Sequence, residues 1–97
     1  MPTYGRTDRF KKDHAALSPE DKARFRSAVD KFVADLKAER PFRKGLRVER
    51  LQGTEAIFEM TWADDGRATF ENEDEQVEGE PHVIWRRVGT HEVFGKP

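Results

Sequence analysis

The stretch from residue 57 to residue 70 decides the fold, because it holds two strand patterns joined by a tight-turn signal. It reads Ile57-Phe58-Glu59-Met60-Thr61-Trp62-Ala63-Asp64-Asp65-Gly66-Arg67-Ala68-Thr69-Phe70. Apolar and polar residues alternate in its first half, which places Phe58, Met60 and Trp62 on one face of a strand. Asp65-Gly66 is typical of a hairpin turn, because glycine readily adopts the positive φ that such a turn needs. The stretch therefore predicts an antiparallel β-hairpin.

Two helices are predicted before the hairpin. A short helix begins at Thr7 or Asp8, either of which can cap it. A longer helix begins at Ser18, with Pro19 at its first position and acidic residues next, where they favour the positive end of the helix dipole. Pro41 ends this helix, because proline cannot continue it. Its apolar residues recur at the spacing of one helix face: Phe25, Ala28, Val29, Phe32, Val33 and Leu36.

Further strands are predicted on both sides of the hairpin. Residues 46–51 alternate at first, with their apolar side chains inward, and residues 52–54 are expected to turn. Residues 71–81 contain six acidic side chains and are expected to form an exposed, mobile loop. Residues 82–88 are predicted to be the last, buried strand.

The predicted elements make up a single α+β domain over residues 1–97, in which two N-terminal helices pack on a mostly antiparallel sheet of about four strands. The chain has no cysteine, so neither a disulfide nor a thiolate metal site is expected. No metal-ligand spacing and no phosphate loop stand out, so no metal or other cofactor is expected. No signal-peptide pattern and no membrane-spanning run are visible, so a cytoplasmic protein is expected.

The charges are divided between the two halves of the chain. The net charge is −1, but residues 1–53 hold 14 Lys/Arg and 8 Asp/Glu, whereas residues 54–97 hold 4 and 11. This polarity favours a surface that binds a partner. The alternative is a charge-rich small domain in which the division has no role.

Chemistry is expected at the end of the last strand. Arg86 and Arg87 are adjacent and are expected on opposite faces, and the strand then continues through Gly-Thr into His91. An imidazole that titrates near neutral pH beside cations suits a phosphate group. The alternative is a strand-end histidine that hydrogen-bonds backbone.

Five motifs follow the predicted helices in a recognisable order. They are Pro41-Phe42, Leu46-Arg47-Val48-Glu49-Arg50-Leu51-Gln52-Gly53, Ile57-Phe58-Glu59-Met60, Asp65-Gly66-Arg67-Ala68-Thr69-Phe70 and Val83-Ile84-Trp85-Arg86-Arg87-Val88-Gly89-Thr90-His91-Glu92-Val93-Phe94. In this order they resemble the RelE/ParE superfamily of bacterial toxins, over nearly the whole chain. The RelE and YoeB branches cut messenger RNA at the ribosome, whereas the ParE branch poisons DNA gyrase.

The resemblance implies roles for individual residues. In the ribonuclease branch a 2′-hydroxyl attacks the adjacent phosphate in line, and the protein supplies a base, an acid and cations. Arg67 falls where the family keeps a phosphate-binding arginine, and His91 falls where it places a general acid. Glu49 falls where YoeB-like members place a carboxylate base. Arg47 and Arg50 fall where RelE-like members place basic residues, which would hold phosphate.

A basic stretch adds to this expected phosphate site. Its residues are Lys37, Arg40, Arg43, Lys44, Arg47 and Arg50. We therefore expect Lys44, and also Arg87 of the last strand, to contribute to RNA binding. The partners that the resemblance implies are a cognate antitoxin, messenger RNA and the ribosome, without a membrane or a small-molecule cofactor.

Three features favour a second function class. Thr61 stands where the family often has an arginine, the chain is slightly acidic, and the acidic segment 71–81 is longer than a tight turn. Weak positive charge disfavours nucleic-acid binding, because electrostatic attraction dominates that affinity. The alternative to a metal-independent messenger-RNA endoribonuclease is a non-enzymatic module of the same fold, either a ParE-like gyrase inhibitor or a divergent partner-binding protein.

Overall fold

The computed structural model describes residues 3–51, 57–77 and 79–90. In chain order its elements are β1 (Thr3–Arg6), α1 (Asp8–Ala15), α2 (Pro19–Lys37), a short 3₁₀ helix (Lys44–Leu46), β2 (Glu49–Arg50), β3 (Ile57–Ala63), β4 (Gly66–Val77) and β5 (Glu80–Thr90).

The strands form one sheet in the order β1-β5-β4-β3-β2. Three neighbouring pairs are antiparallel, and β1 runs parallel to β5. The predicted α+β class and the mostly antiparallel sheet are confirmed, with one strand more than expected. That strand, β1, carries little apolar sequence, and its pairing with the long strand β5 supplies its order.

The core lies between α2 and one face of the sheet. Phe32 of α2 packs edge-on against Phe70 of β4, with ring centroids 5.0 Å apart, and its ring lies 5.3 Å from that of Trp85 in β5. Phe25, two turns earlier on the same face of α2, meets Trp62 and Trp85 in the same edge-on manner. The helical period of α2 and the alternation of the strands therefore meet in one aromatic cluster.

Both helices begin where the sequence predicts. The Thr7 hydroxyl accepts a hydrogen bond from the Phe10 amide, and the Ser18 hydroxyl accepts one from the Asp21 amide. α2 ends at Lys37, several residues before the proline expected to stop it. No helix in the described ranges is both long and apolar enough to cross a membrane.

Two predicted segments are wrong. Residues 71–77 are not a loop, since they continue β4, and Glu71, Asn72 and Glu73 pair with successive residues of β5. The long, apolar partner strand supplies their hydrogen bonds and so overrides their weak strand propensity. The predicted strand 46–51 is reduced to the two residues of β2, because Leu46 is buried at the end of a 3₁₀ helix instead. The predicted turn 52–54 lies outside the described residues.

An irregularity in β5 changes the expected placement of its two arginines. Thr69 pairs with Arg87 and Phe70 pairs with Trp85, so Arg86 is an extra residue that interrupts the alternation of faces. Arg86 contacts Glu71 of the neighbouring strand, 3.4 Å away. The simple alternation predicted for the Arg86-Arg87 pair therefore does not apply.

Candidate functional site

A basic groove runs between α2, the 3₁₀ helix and the exposed end of β3. Its volume is about 590 Å³. We call it the basic groove, and its charged lining residues are Arg24, Lys31, Arg43, Arg47, Arg67 and a single carboxylate, Asp64. Such an excess of cations in one concave surface attracts a polyanion.

The helix side of the basic groove comes from one stripe of α2. Arg24, Ser27 and Lys31 follow each other at three- and four-residue spacing, next to the buried Ala28. Arg24 is paired with Asp21 at 2.9 Å on the exposed surface. Lys31 forms no ion pair with the residues that the structure describes, so its ammonium group is available to a ligand.

The opposite wall depends on a buried carboxylate, Asp35, in the last turn of α2. Its oxygens accept four hydrogen bonds, from Arg40 Nε at 2.7 Å and from Arg43 Nε, Nη2 and backbone N, each at 2.9 Å. The hydrogen bonds from Arg43 hold the pKa of the Asp35 carboxyl well below its ordinary value. In turn, the hydrogen bond to the Asp35 carboxylate raises the pKa of Arg43. Asp35 therefore stays ionised and holds the segment that leads into the 3₁₀ helix.

Arg47 ends the 3₁₀ helix in a left-handed conformation, with φ 47° and ψ 52°. A residue with a Cβ atom is strained in this region by about 1–2 kcal/mol. The Arg47 side chain is exposed and lines the basic groove. Within the described part of the chain it has no ion-pair partner.

Arg67 stabilises the β3–β4 turn while it lines the basic groove. Its Nη1 donates to the carbonyl oxygens of Ala63, Asp64 and Gly66 at 2.9–3.2 Å. Its Nε lies 3.5 Å from the Glu59 carboxylate. A guanidinium has five N–H donors, and the described residues accept none from Nη2, so its two donors can bind a ligand such as a phosphate oxygen.

Two carboxylates stand side by side at the edge of the basic groove. Glu49 on β2 is directly opposite Glu59 on β3, and directly opposed side chains on one sheet face are neighbours. Neither carboxylate lines the groove itself. Glu59, rather than the predicted Glu49, contacts Arg67.

The remaining predicted site residues are placed unevenly. His91 lies outside the described residues, but Thr90 before it pairs with Gly66, next to Arg67. Lys44 and Arg50 are exposed beside the groove without lining it. Arg87 is turned away, since its Nε donates to Asp13 of α1 at 2.6 Å.

Sequence reasoning missed several contributors, for different reasons. Arg24 and Lys31 flank the buried face of α2. Because the sequence predicts this helix and its buried face correctly, the same pattern could have placed both residues beside that face. Glu59 follows from the predicted hairpin, whose register sets it diagonally from Arg67. The role of Asp35 carried no signal, because a carboxylate on a helix is ordinarily solvated. In the described ranges no group of three or more His, Asp or Glu could hold a metal ion.

No protein-family model and no curated protein matches the chain. Solved structures do. The toxin–antitoxin complex DinJ–YafQ from E. coli matches with a TM-score of 0.69 at 14% identity, covering 96% of each chain. The RelB–RelE antitoxin–toxin complex from Methanococcus jannaschii matches with a TM-score of 0.61 at 15% identity, covering 91% of each chain. A YoeB/ParE toxin from Agrobacterium tumefaciens matches with a TM-score of 0.65 at 13% identity, covering 92% of this chain and 98% of that one. Over nearly its whole length, the chain has the fold of the RelE/YoeB/ParE toxins.

Proposed function

We propose that the chain is the toxin of a type II toxin–antitoxin pair and a metal-independent endoribonuclease that cuts messenger RNA at or near the ribosome, in the cytoplasm. The observation that carries this proposal is the basic groove, in which five cations face one carboxylate. Its cations come from three separate elements, so their convergence is a property of the folded chain. A single-stranded RNA backbone is the polyanion that such a groove suits.

The reaction we propose is an internal transesterification. The 2′-oxygen attacks the neighbouring phosphorus in line, the bond to the 5′-oxygen breaks, and a 2′,3′-cyclic phosphate and a free 5′-hydroxyl result. A base removes the proton of the 2′-hydroxyl and an acid protonates the leaving oxygen, so the step needs neither water nor a metal.

Four residues have proposed roles in this reaction. Arg67 would bind the phosphate through Nη2, where fixed cations stabilise the developing charge. The base would be Glu49 or its neighbour Glu59. His91 would be the acid, because it follows the strand end that pairs beside Arg67.

The phosphates on either side would be held by a second set of cations. Arg47 and Lys31 line the basic groove without an ion-pair partner among the described residues. Lys44 and Arg50 would extend the contact over the exposed surface beside it. Arg87 would contribute only if it left Asp13.

The partner we propose is a cognate antitoxin. Two of the structures with this fold are complexes of a toxin with its antitoxin. A segment bound over the basic groove would block access of RNA to the cations. Co-expression with the protein encoded in the adjacent reading frame should then restore growth and yield a stable complex.

The test is controlled expression in growing bacteria beside three variants, with growth and reporter messenger RNA followed together. His91→Ala should abolish cleavage and toxicity. Lys31→Ala should weaken both, whereas Lys11→Ala, which removes an exposed lysine on α1 outside the groove, should leave both unchanged. Mapped cuts should end in a cyclic phosphate. A folded His91→Ala protein as toxic and as active as wild type would remove the mechanism.

One observation favours the second function class, a gyrase inhibitor or a partner-binding module. Three of the five groove cations are already in ion pairs, Arg24 with Asp21, Arg43 with Asp35 and Arg67 with Glu59. Such pairs lower the attraction for RNA. Filamentation and a DNA-damage response without loss of messenger RNA would favour gyrase, and a folded protein without any phenotype would favour a binding module.

A further inference from the structure

The wall of the basic groove that carries Arg43 and Arg47 is fixed to the protein at two points. One point is the apolar core, into which Leu46 inserts with 3% of its surface exposed. Phe42 strengthens this attachment, because its ring stacks on that of Phe32 at 4.6 Å and 7°. The other point is the Asp35 carboxylate.

Asp35 holds its partners in an unusually complete arrangement. Its side chain is 1% exposed, yet it accepts four hydrogen bonds, which fill the lone-pair sites of a carboxylate. Three of the four come from Arg43, from its backbone amide and from both sides of its guanidinium fork. The contact therefore fixes the Arg43 backbone as well as its side chain.

The Arg43 backbone in turn begins the 3₁₀ helix that ends at Arg47. Arg43 is the N-cap residue of this helix, its carbonyl accepts from the Leu46 amide, and the Arg47 amide donates to Lys44. No side chain in the described residues caps the helix start. The contact between Arg43 and Asp35 therefore fixes the start of the helix, while Leu46 holds its end in the core.

We propose that Asp35 is the positioning residue of the RNA-binding groove: it sets the places of Arg43 and Arg47 without touching RNA. This inference rests on the proposed function. Charge alone predicts that removal of Asp35 tightens RNA binding, because a carboxylate behind a phosphate site repels RNA. Positioning predicts the reverse, because cations that are no longer held lose their alignment with the phosphates.

The test compares Asp35→Asn with Asp30→Asn. Both remove one negative charge from α2, but Asp30 is exposed and, among the described residues, its ion pair is with Arg26 on the surface. The probe is a fluorescent single-stranded RNA with 2′-O-methyl groups, which cannot be cleaved. We expect Asp35→Asn to raise its Kd about tenfold, the effect of losing one charge-assisted contact, and Asp30→Asn to leave it unchanged or slightly lower.

A second variant keeps the charge of the wall. Arg43→Lys retains the cation but cannot grip both carboxylate oxygens and is expected to weaken binding in the same direction. Combined with Asp35→Asn, it should add little, because both changes release the same wall. If the Asp35→Asn protein does not fold, Arg43→Lys alone still tests the proposal through its RNA affinity.

Hydrogen exchange separates positioning from a general loss of stability. In a folded Asp35→Asn protein the amides of Arg43, Leu46 and Arg47 should exchange faster, while those of β4 and β5 keep their protection. Equal or tighter RNA binding by Asp35→Asn, or full additivity with Arg43→Lys, would overturn the inference and leave the proposed function standing. A wild-type protein that does not bind the RNA would overturn the proposed function, and this inference with it.

Discussion

Arg47 combines strain with charge at a single position. It adopts a positive φ of 47°, and so does Glu39, with φ 55°, just after α2. Glu39 adopts a positive φ because it lies at the C-terminal end of α2. There its amide donates to the Leu36 backbone carbonyl, and the Arg40 amide donates to the Asp35 backbone carbonyl. These two hydrogen bonds form a Schellman C-cap, in which the residue with positive φ is usually glycine. Arg47 likewise closes a helix, the short 3₁₀ helix, since its amide donates to the Lys44 carbonyl. Its side chain differs from that of Glu39 in that it lines the basic groove.

Replacing each of these residues by glycine separates strain from function. Arg47→Gly and Glu39→Gly should each raise the free energy of unfolding by about 0.5–1 kcal/mol, because relief of strain exceeds the added entropy of the unfolded chain. Only Arg47→Gly should weaken RNA binding. Urea unfolding and RNA titration of both variants check this. If Arg47→Gly is stabilised and still binds as wild type, Arg47 does not contact RNA.

Gly66 illustrates a correct prediction with a different physical cause. The Asp-Gly pair predicts the hairpin through a positive φ, yet in the described residues Gly79 is the glycine with positive φ. At Gly66 a Cβ atom would lie 2.5 Å from the Trp62 ring. The glycine is required because the indole packs on the turn, where its Nε1 donates to the Arg67 carbonyl. A sequence pattern identifies the turn but not the side chain that packs on it.

At the scale of elements, α1 is attached to the sheet by the buried Phe10, whose ring lies 6.2 Å from that of Trp85, and by one carboxylate. Asp13 accepts from Arg87 Nε at 2.6 Å and from the Val88 backbone amide at 3.3 Å. Asp13 thereby accepts a backbone hydrogen bond from β5 beyond the end of the β1–β5 pairing, which stops at Arg6. The pair also accounts for Arg87, which the sequence assigns to RNA binding and the fold uses to hold a helix.

Removal of this attachment should loosen α1 and leave the groove intact. We expect Asp13→Ala to lower the free energy of unfolding by about 1–3 kcal/mol, because a half-buried guanidinium and an amide lose an acceptor. Asp30→Ala, which breaks a surface pair, should change it by less than about 1 kcal/mol. Urea unfolding measures both, and the folded Asp13→Ala protein should bind RNA at least as tightly as wild type, because the change leaves the groove lining unaltered and releases Arg87 from Asp13. Equal destabilisation by the two variants would show that the attachment is unimportant.

The elements also show what sequence can and cannot predict here. Helix starts and the β3–β4 hairpin depend on neighbours in sequence, such as the Thr7 cap, and are predicted correctly. β1 and the second half of β4 depend on pairing with β5, which is distant from β1 along the chain, and are missed. The groove divides the same way: the sequence proposes Arg47 and Arg67 from their positions in motifs, and the register of the predicted hairpin places Glu59 near Arg67, whereas Asp35 matters through contacts that only the fold creates.

At the scale of the whole molecule, the charge polarity of the sequence becomes a polarity of surfaces. Four of the five groove cations come from the basic first half of the chain, and Arg67 is the exception. Of the acidic residues in the second half, Glu71 and Glu73 lie on β4 outside the groove lining, whereas Asp64 lines the groove and Glu59 contacts Arg67. The proposed RNA binding therefore depends on the local field of the groove cations more than on the slightly negative net charge.

The salt dependence of RNA binding tests how many groove cations are available. For single strands each neutralised phosphate contributes about 0.7 to the slope of log Kd against log salt, so five contacts would give about 3.5. Over the described part of the chain, Arg24 and Arg43 are paired with carboxylates, whereas Lys31, Arg47 and Nη2 of Arg67 are not. We therefore expect a slope of about 2, the value for three contacts.

The variants attribute this slope to particular residues. Lys31→Ala should reduce the slope by about 0.7, and Lys11→Ala should leave it unchanged. A slope near 3.5 would mean two further contacts, either from Lys44 and Arg50 beside the groove or from Arg24 and Arg43 after RNA displaces Asp21 and Asp35. A fall in the slope on replacing Lys44 and Arg50 by Ala would distinguish the first source from the second. A slope near zero would exclude the groove as an RNA surface, because contacts with phosphate cannot be independent of salt.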